Sequence, residues 1–460
     1  MDYISYRNFI DNKQHSVDDC GFNAENLSPK LFAHQQTANM FACKKGKSAL
    51  FLDTGLGKTG CEVTFANECV GVANKPALIL TPLAVAKQMQ DEAANIFDIE
   101  TTIIRNEDDI TPGVNIMNYE RLKNINVSGF GSITLDESSV LKSYGGRIKN
   151  DLIAKFKDTK YKLAATATPA PNDHMEIGNH AEFLNIMGSM EMLCRWFVND
   201  TSEASQKWRL KGHARDDFWA WVASWARAAS LPSDLGGDDT GYILPALSIN
   251  MHVVDVDRTE NADGLLFRIP DQSATSIHKE KRLTIGDRMA MAADLANTGE
   301  PVIVWCETND ESDILANTVD DCIEVKGSMT IDQKEDALWA FTSGKVRAIV
   351  TKKKIAGFGL NWQHCNHQVH SSISYSYEAY YQAVRRSWRF GQKRPVKIDV
   401  VMSDTERGVW ETIERKARDH DRLKTEMSKA MLGAQGVKSN KSYETGSQFV
   451  FPDWLKTEVA

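Results

Sequence analysis

The sequence predicts an α/β protein: two blocks of mostly parallel sheet, a tryptophan-rich helical insertion between them, and a C-terminal helix. Three observations predict it. Between residues 31 and 190, short apolar runs alternate with amphipathic stretches. Between 250 and 403 the same rhythm returns. The segment that separates the two blocks loses it. Strands alternating with helix-length segments are the pattern of a parallel sheet covered on both faces. The division that follows is 1–190, 191–248, 249–404 and 405–460.

In the first block the strand candidates are Ser48–Leu52, Ala77–Leu80, Thr102–Ile104, Val114–Met117, Ile133–Leu135 and Lys162–Ala165. Ligands of such sheets sit at the carboxyl ends of the strands. Two chemistry-bearing stretches fall there. Asp53-Thr54-Gly55-Leu56-Gly57-Lys58-Thr59 follows the first run and precedes a helix-like segment. Strand, glycine-rich turn and helix form a phosphate-binding loop. Gly55 and Gly57 let backbone N–H groups turn toward phosphate oxygens, and the helix N-terminus adds partial positive charge. Lys58 reaches the β- and γ-phosphates, and Thr59 holds Mg²⁺. The strict pattern would have Gly where Leu52 stands. The second stretch is Asp136-Glu137, at the end of Ile133–Leu135. Alone it reads as an acidic surface pair. Paired with Lys58-Thr59, Asp136 reads as the Mg²⁺ carboxylate and Glu137 as the group that orients or deprotonates the attacking water.

Residues 191–245 contain five of the eleven tryptophans, Trp196, Trp208, Trp219, Trp221 and Trp225, interleaved with Arg195, Lys207, Arg209, Lys211, Arg215 and Arg227. Stacking on nucleic acid is one use of such a segment. Phe218, Trp221, Val222 and Trp225, however, recur at the spacing of one helix face, which favours packing. The second block has strand candidates at Met251–Val256, Pro301–Cys306, Cys322–Val325, Arg347–Val350, Val369–Ile373 and Val396–Val400. Thr405–Leu432 then reads as a charged amphipathic helix, and Gly433–Gly446 as a polar tail. In Gln382–Gln392, Arg386 and Arg389 fall on one face of a predicted helix and suit phosphate oxygens. Arg385 points about 100° away from Arg386 on such a helix.

With 42% hydrophobic and 25% charged residues the composition is that of an ordinary globular protein. No run of apolar residues is long enough to span a membrane. The eight cysteines are scattered without a C-x-x-C pair, so reduced thiols in the cytoplasm are expected. A net charge of −8 leaves contact with nucleic acid to local basic patches.

In order along the chain, these stretches resemble the motifs of superfamily-two helicases, and most closely those of the Swi/Snf-like DNA translocases, from about Leu31 to about Met402. Phe32-Ala33-His34-Gln35 resembles the adenine-reading motif, with Gln35 as the reader. Asp53–Thr59 resembles the phosphate loop. Leu78–Pro82 and Ile116–Glu120 resemble the DNA-backbone motifs of the first lobe. Asp136-Glu137-Ser138-Ser139 resembles the acidic box, with Ser139 where His is usual. Thr166-Ala167-Thr168-Pro169 resembles the coupling motif. Gly357–Asn361 (with Gly359 and Asn361) and Gln382–Gln392 resemble the last two.

The resemblance implies two RecA-like lobes with ATP and Mg²⁺ between them and DNA, most often double-stranded, across both. It also implies that Arg386 and Arg389 complete the site from the second lobe. Long remodeller extensions are missing, which matches a compact prokaryotic or phage type acting in the cytoplasm. An acidic motor of this kind is expected to need a loading partner. Two alternatives stay open: a strand-separating helicase, and a nucleic-acid-binding module that uses ATP as a conformational clamp. A small-molecule P-loop kinase leaves residues 250–403 without a use.

Overall fold

In the computed structural model, residues 19–24, 27–82, 85–142, 146–170, 174–200, 207–255, 281–357 and 360–435 are described. The strands are β1 (Lys47–Leu52), β2 (Ala77–Thr81), β3 (Thr101–Ile103), β4 (Val114–Asn118), β5 (Ser132–Asp136) and β6 (Tyr161–Ala165) in the first block. The intervening segment adds β7 (Phe197–Asp200), β8 (Lys207–Leu210) and β9 (Ala226–Ala229). The second block holds β10 (Leu247–Val254), β11 (Val302–Cys306), β12 (Cys322–Val325), β13 (Ala348–Lys352), β14 (His367–His370) and β15 (Val396–Ser403).

Two sheets result, ordered β3-β4-β2-β5-β6-β1-β9 and β10-β15-β14-β11-β13-β12. Every pairing in them is parallel. Strands β2, β4, β5 and β6 are buried along their whole length, as expected of parallel strands covered on both sides. Successive side chains serve opposite faces. Ala49 and Phe51 of β1 enter one apolar cluster, and Leu50 and Leu52 another. In the second sheet Val302 and Val304 enter one cluster, and Ile303 and Trp305 another. The fold is the double RecA-like lobe with flanking helices.

The Trp-rich segment departs from the predicted helical insertion with a boundary at 190. It belongs to the first lobe. Trp196, Trp219, Trp221 and Trp225 are buried in that lobe's largest cluster. Strand β9 extends its sheet beside β1, with Ala49 opposite Ala226 and Leu52 opposite Ala229. Strands β7 and β8 form an antiparallel hairpin. The packing alternative therefore prevails over base stacking. Two of its basic residues, Arg227 and Arg215, are engaged internally. The Arg227 guanidinium lies 3.6 Å from the Phe41 ring centre and donates to the Ala223 carbonyl. Arg215 pairs with Glu426.

The C-terminal helix runs from Arg407 to Gln435, longer than predicted. Its first half puts Val409 and Ile413 into a core of the second lobe, and its second half puts Leu423 and Met427 into the core of the first. One helix thus crosses both lobes. Most of the tail expected over 433–446 falls outside the described residues.

Candidate nucleotide site between the lobes

The phosphate loop turns between β1 and the helix Lys58–Ala73. Its two glycines are required by the backbone. Gly55 has φ 98° and Gly57 φ 73°, a left-handed region that side chains rarely adopt. Space is denied as well. A Cβ on Gly57 would lie 2.0 Å from Gln35 Nε2, and one on Gly55 would lie 2.9 Å from Phe390 Cβ. The second contact comes from the other lobe. Lys58 caps the turn, its Nζ donating to the Leu52 carbonyl at 3.0 Å. Burial lowers the Lys58 ammonium's pKa, and the charges of Glu137, Glu62, Asp53 and Asp136 oppose that shift. One lysine thus faces four carboxylates, and Thr59 stands half-buried beside it.

Asp136 ends β5. Burial, then the neighbouring Glu137, push its carboxyl up to about 7, while Lys58 and Arg386 pull it back. Glu137 has φ 59°, a strained conformation for a residue with a Cβ, and such strain gathers at functional sites. The turn carries its carboxylate to Thr166, whose hydroxyl donates to Oε1 at 2.5 Å. Thr166 Oγ1 in turn accepts the Thr168 N–H at 3.0 Å. The acidic box and the coupling motif are therefore joined directly. Ser139, expected to carry that link in place of His, is buried near Glu378 of the second lobe.

Gln35 is occupied at both ends. Its Oε1 accepts the Phe32 N–H at 2.8 Å, and its Nε2 donates to the Gly57 carbonyl at 3.0 Å. Here it clasps the phosphate loop. His34 Nε2 lies 3.1 Å from the Leu56 carbonyl. Beside them Tyr242 stacks on Phe390, ring centres 4.3 Å apart.

From the second lobe, the helix Tyr377–Val384 ends before the arginines. Residues 385–392 follow it as turns, not as the predicted continuous helix. Arg386 and Arg389 converge all the same. Both donate to the Leu360 carbonyl, at 2.8 and 3.2 Å. Arg386 is buried and also bonds Gln382 through its backbone carbonyl and Oε1. Burial, then Arg389, lower its pKa to about 9, and Glu137 and Asp136 raise it. Arg385 crosses the cleft instead: its guanidinium reaches Asp53 Oδ2 at 3.4 Å. Asn361 accepts the Gln363 N–H at 3.4 Å and lines a groove of about 470 Å³ with Trp339 and Leu360. Gly359 lies outside the described residues.

Several residues of this site carried no sequence motif. Glu62 is fully buried one turn beyond Lys58, and burial followed by Asp136 raise its carboxyl well above the usual range. The i, i+4 spacing from Lys58 was the available signal. Lys142 bonds Glu378 across the cleft. Lys424, Tyr381 and Arg385 all meet Asp53. Nothing local in the sequence marks that meeting.

Residues 287–391 match the family profile described as the helicase conserved C-terminal domain. A search of curated proteins finds no match. Among solved structures, Saccharomyces cerevisiae Dbp5 bound to RNA and ADP BeF3 is similar over 91% of this chain and 100% of that one, with TM-score 0.54 and 11% identity. The Sulfolobus solfataricus SWI2/SNF2 ATPase core in complex with double-stranded DNA aligns over 92% and 98%, with TM-score 0.40 and 16% identity. Residues 287–391 thus match a helicase C-terminal domain, in a chain that shares the two-lobed fold of the Dbp5 structure.

Proposed function

We propose that the chain is an ATP-dependent DNA motor that translocates on duplex DNA. The observation that carries this is the cleft itself. Asp136 and Glu137 from one lobe feel Arg386 from the other, and Lys58 faces the same two carboxylates. In this reading the loop amides and Lys58 bind the ATP phosphates. Glu137, steered by its left-handed backbone, positions the attacking water, and Thr166 reports its state to the coupling motif. Arg386 and Arg389 stabilise charge that grows on the transferred phosphoryl group.

Thr59 and Asp136 are hard oxygen donors in a surplus of negative charge, which fits Mg²⁺ held partly by nucleotide phosphates. When bound, Mg²⁺ would neutralise phosphate charge. Gln35 would have to exchange its Gly57 bond to read adenine.

A cleft of about 830 Å³ spans both lobes and is lined by Lys123, Lys142, Arg147, Lys155, Lys334 and Lys354. Those six cations outnumber the carboxylates of Glu120, Glu137 and Asp151 in the same lining and, although Lys142 is paired with Glu378, suit a polyanion despite the net charge of −8. The acidic balance is the ground for expecting a loading partner. Eight free thiols are the ground for expecting a reducing compartment such as the cytoplasm, and the compact Swi/Snf-like pattern is the ground for a bacterial or phage setting.

The choice of duplex DNA rests on the Gln382–Gln392 run and its Swi/Snf-like pattern. The second reading, strand separation, including on RNA, is favoured by the fold shared with Dbp5, a structure bound to RNA. Triplex displacement and fork unwinding, run with ATP on the same protein, separate them. A translocase displaces the third strand and leaves the fork paired. Fork opening without third-strand displacement gives the helicase reading.

A further inference from the structure

Asp53 heads the phosphate loop, yet its carboxylate points out of it. Its Oδ1 satisfies the local turn by accepting the Thr54 N–H at 2.7 Å. The rest of the carboxylate is used by the other half of the molecule. Tyr381 donates its hydroxyl to Oδ1. Arg385 and Lys424 approach Oδ2 at 3.4 and 2.8 Å. Lys424 Nζ also donates to Tyr381 Oη at 2.9 Å, which closes the network. Asp53 is 8% exposed and Tyr381 9%. These cations hold the Asp53 carboxyl below its ordinary range against burial.

Lys424 comes from the C-terminal helix, outside every motif that carries the nucleotide chemistry. Nearby on that helix, Glu426 pairs with Arg215, and Leu423 and Met427 sit in the core of the first lobe. Earlier on it, Lys416 donates to the Tyr375 carbonyl at 3.0 Å, just before the helix that bears Tyr381. Asp53 is five residues before Lys58, and Arg385 is one before Arg386. Pinning Asp53 to Arg385 therefore sets the distance between the phosphate loop and the arginines.

We infer that Lys424 is a positioning residue of the nucleotide site. Through Asp53 and Tyr381, the C-terminal helix fixes how the second lobe meets the phosphate loop. The inference rests on the ATPase reading above. Lys424 touches no reacting atom; it acts by keeping Arg386 and Arg389 in register with Lys58. A misplacement of about 1 Å at a reacting centre costs up to ~100-fold in rate. Loss of one of two cations on Asp53 should cost less.

The test uses the full chain with Lys424→Ala, Lys424→Arg, Asp53→Asn and the Asp53→Asn/Lys424→Ala pair. Steady-state ATP turnover and affinity for a fluorescent ATP analogue are measured on each. Asp53→Asn keeps an acceptor for Thr54 and removes the charge. Lys424→Ala should lower kcat about tenfold and leave nucleotide affinity within about twofold, the signature of a contact that matters beyond ground-state binding. Lys424→Arg should restore most of the rate, and the double variant should be no worse than Asp53→Asn alone. The inference is overturned if Lys424→Ala keeps kcat within about twofold of wild type, if Arg does not rescue, or if the two losses multiply. If wild type turns over no ATP, the ATPase reading falls separately. The brace is then judged by melting temperature: non-additive shifts for Asp53→Asn and Lys424→Ala support it, and additive shifts overturn it.

Discussion

Each residue of the cleft makes a distinct, measurable contribution. Lys58 feels the charges of four carboxylates, Glu137, Glu62, Asp53 and Asp136. Lys58→Ala should abolish ATP turnover, because it removes the charge that balances phosphate and leaves the carboxylates to repel it. A phosphate-release assay at saturating Mg²⁺ and ATP checks this. The arginines divide by their hydrogen bonds. Arg386 is fixed by bonds to Gln382 and Leu360, and Arg389 by a bond to Leu360 alone. Arginine fingers are worth roughly 10³–10⁵ in rate. Arg389→Ala should therefore cut kcat by orders of magnitude with a much smaller loss of ATP affinity. Lysine should rescue it poorly, since a point charge lacks the planar fork. Arg386→Ala should also destabilise the second lobe, which single-turnover kinetics and thermal melting separate. On a continuous helix Arg385 faces away from Arg386 and is expected to matter less. Its contact with Asp53 makes it a positioning contact instead, and Lys424 on the same carboxylate keeps Asp53 paired when Arg385 is removed.

At the scale of elements, most strands were legible because parallel strands buried on both faces are short continuous apolar runs. All twelve candidate runs overlap observed strands. Strand β9 was not legible. Ala226-Arg227-Ala228-Ala229 is short, weakly apolar and joined to the preceding helix without a breaker, so only its pairing with β1 defines it. The phosphate loop and acidic box were legible because their chemistry is local in sequence. The Asp53 network was not, since Lys424 is 371 residues away, one of many charged residues on an amphipathic helix with no motif to single it out. The arginine run reads as helix because no Gly or Pro occurs between Tyr377 and Phe390 to mark the end at Val384. The membership of the Trp-rich segment gives a further prediction. Trp225 is fully buried and meets Phe51 of β1 edge-on, ring centres 6.1 Å apart. Trp225→Ala should cost about 3–5 kcal/mol, as for other buried tryptophans. Urea unfolding followed by far-UV circular dichroism should show loss of the whole first lobe. A loss confined to a detachable module would restore the insertion as a separate domain.

The whole molecule is tied together by the C-terminal helix, which packs into the cores of both lobes. Its pH response follows from buried histidines. Burial lowers His180 to about 4 and His420 to about 3. The unfolded chain binds their protons near pH 6.5, and the folded chain only well below that. Their contribution is therefore complete above about pH 6.5 and is lost as pH falls toward the folded values, by about 2 kcal/mol each at pH 5. His420 meets Tyr377 at a tilt and Tyr381 edge-on at the lobe junction, ring centres 5.5 and 5.2 Å apart. Melting temperature should fall between pH 7 and 5, and His420→Gln should flatten part of that slope. An equal slope in the variant would remove His420 from the account.

In the proposed function, closing the two lobes around ATP is productive and serves DNA. Glu137 tests this most sharply: it sits in a strained turn beside Asp136 and accepts from Thr166, and its proposed part is in hydrolysis rather than in binding. The measurement is steady-state ATP turnover of wild type and Glu137→Gln, each with and without duplex DNA, together with nucleotide affinity. Wild-type turnover should rise with duplex. Glu137→Gln should bind ATP as tightly and lose about 10²–10⁴-fold in kcat, the range expected when a positioned acid–base group is removed. Equal turnover by the two proteins, or a wild-type rate that duplex DNA leaves unchanged, would contradict the account.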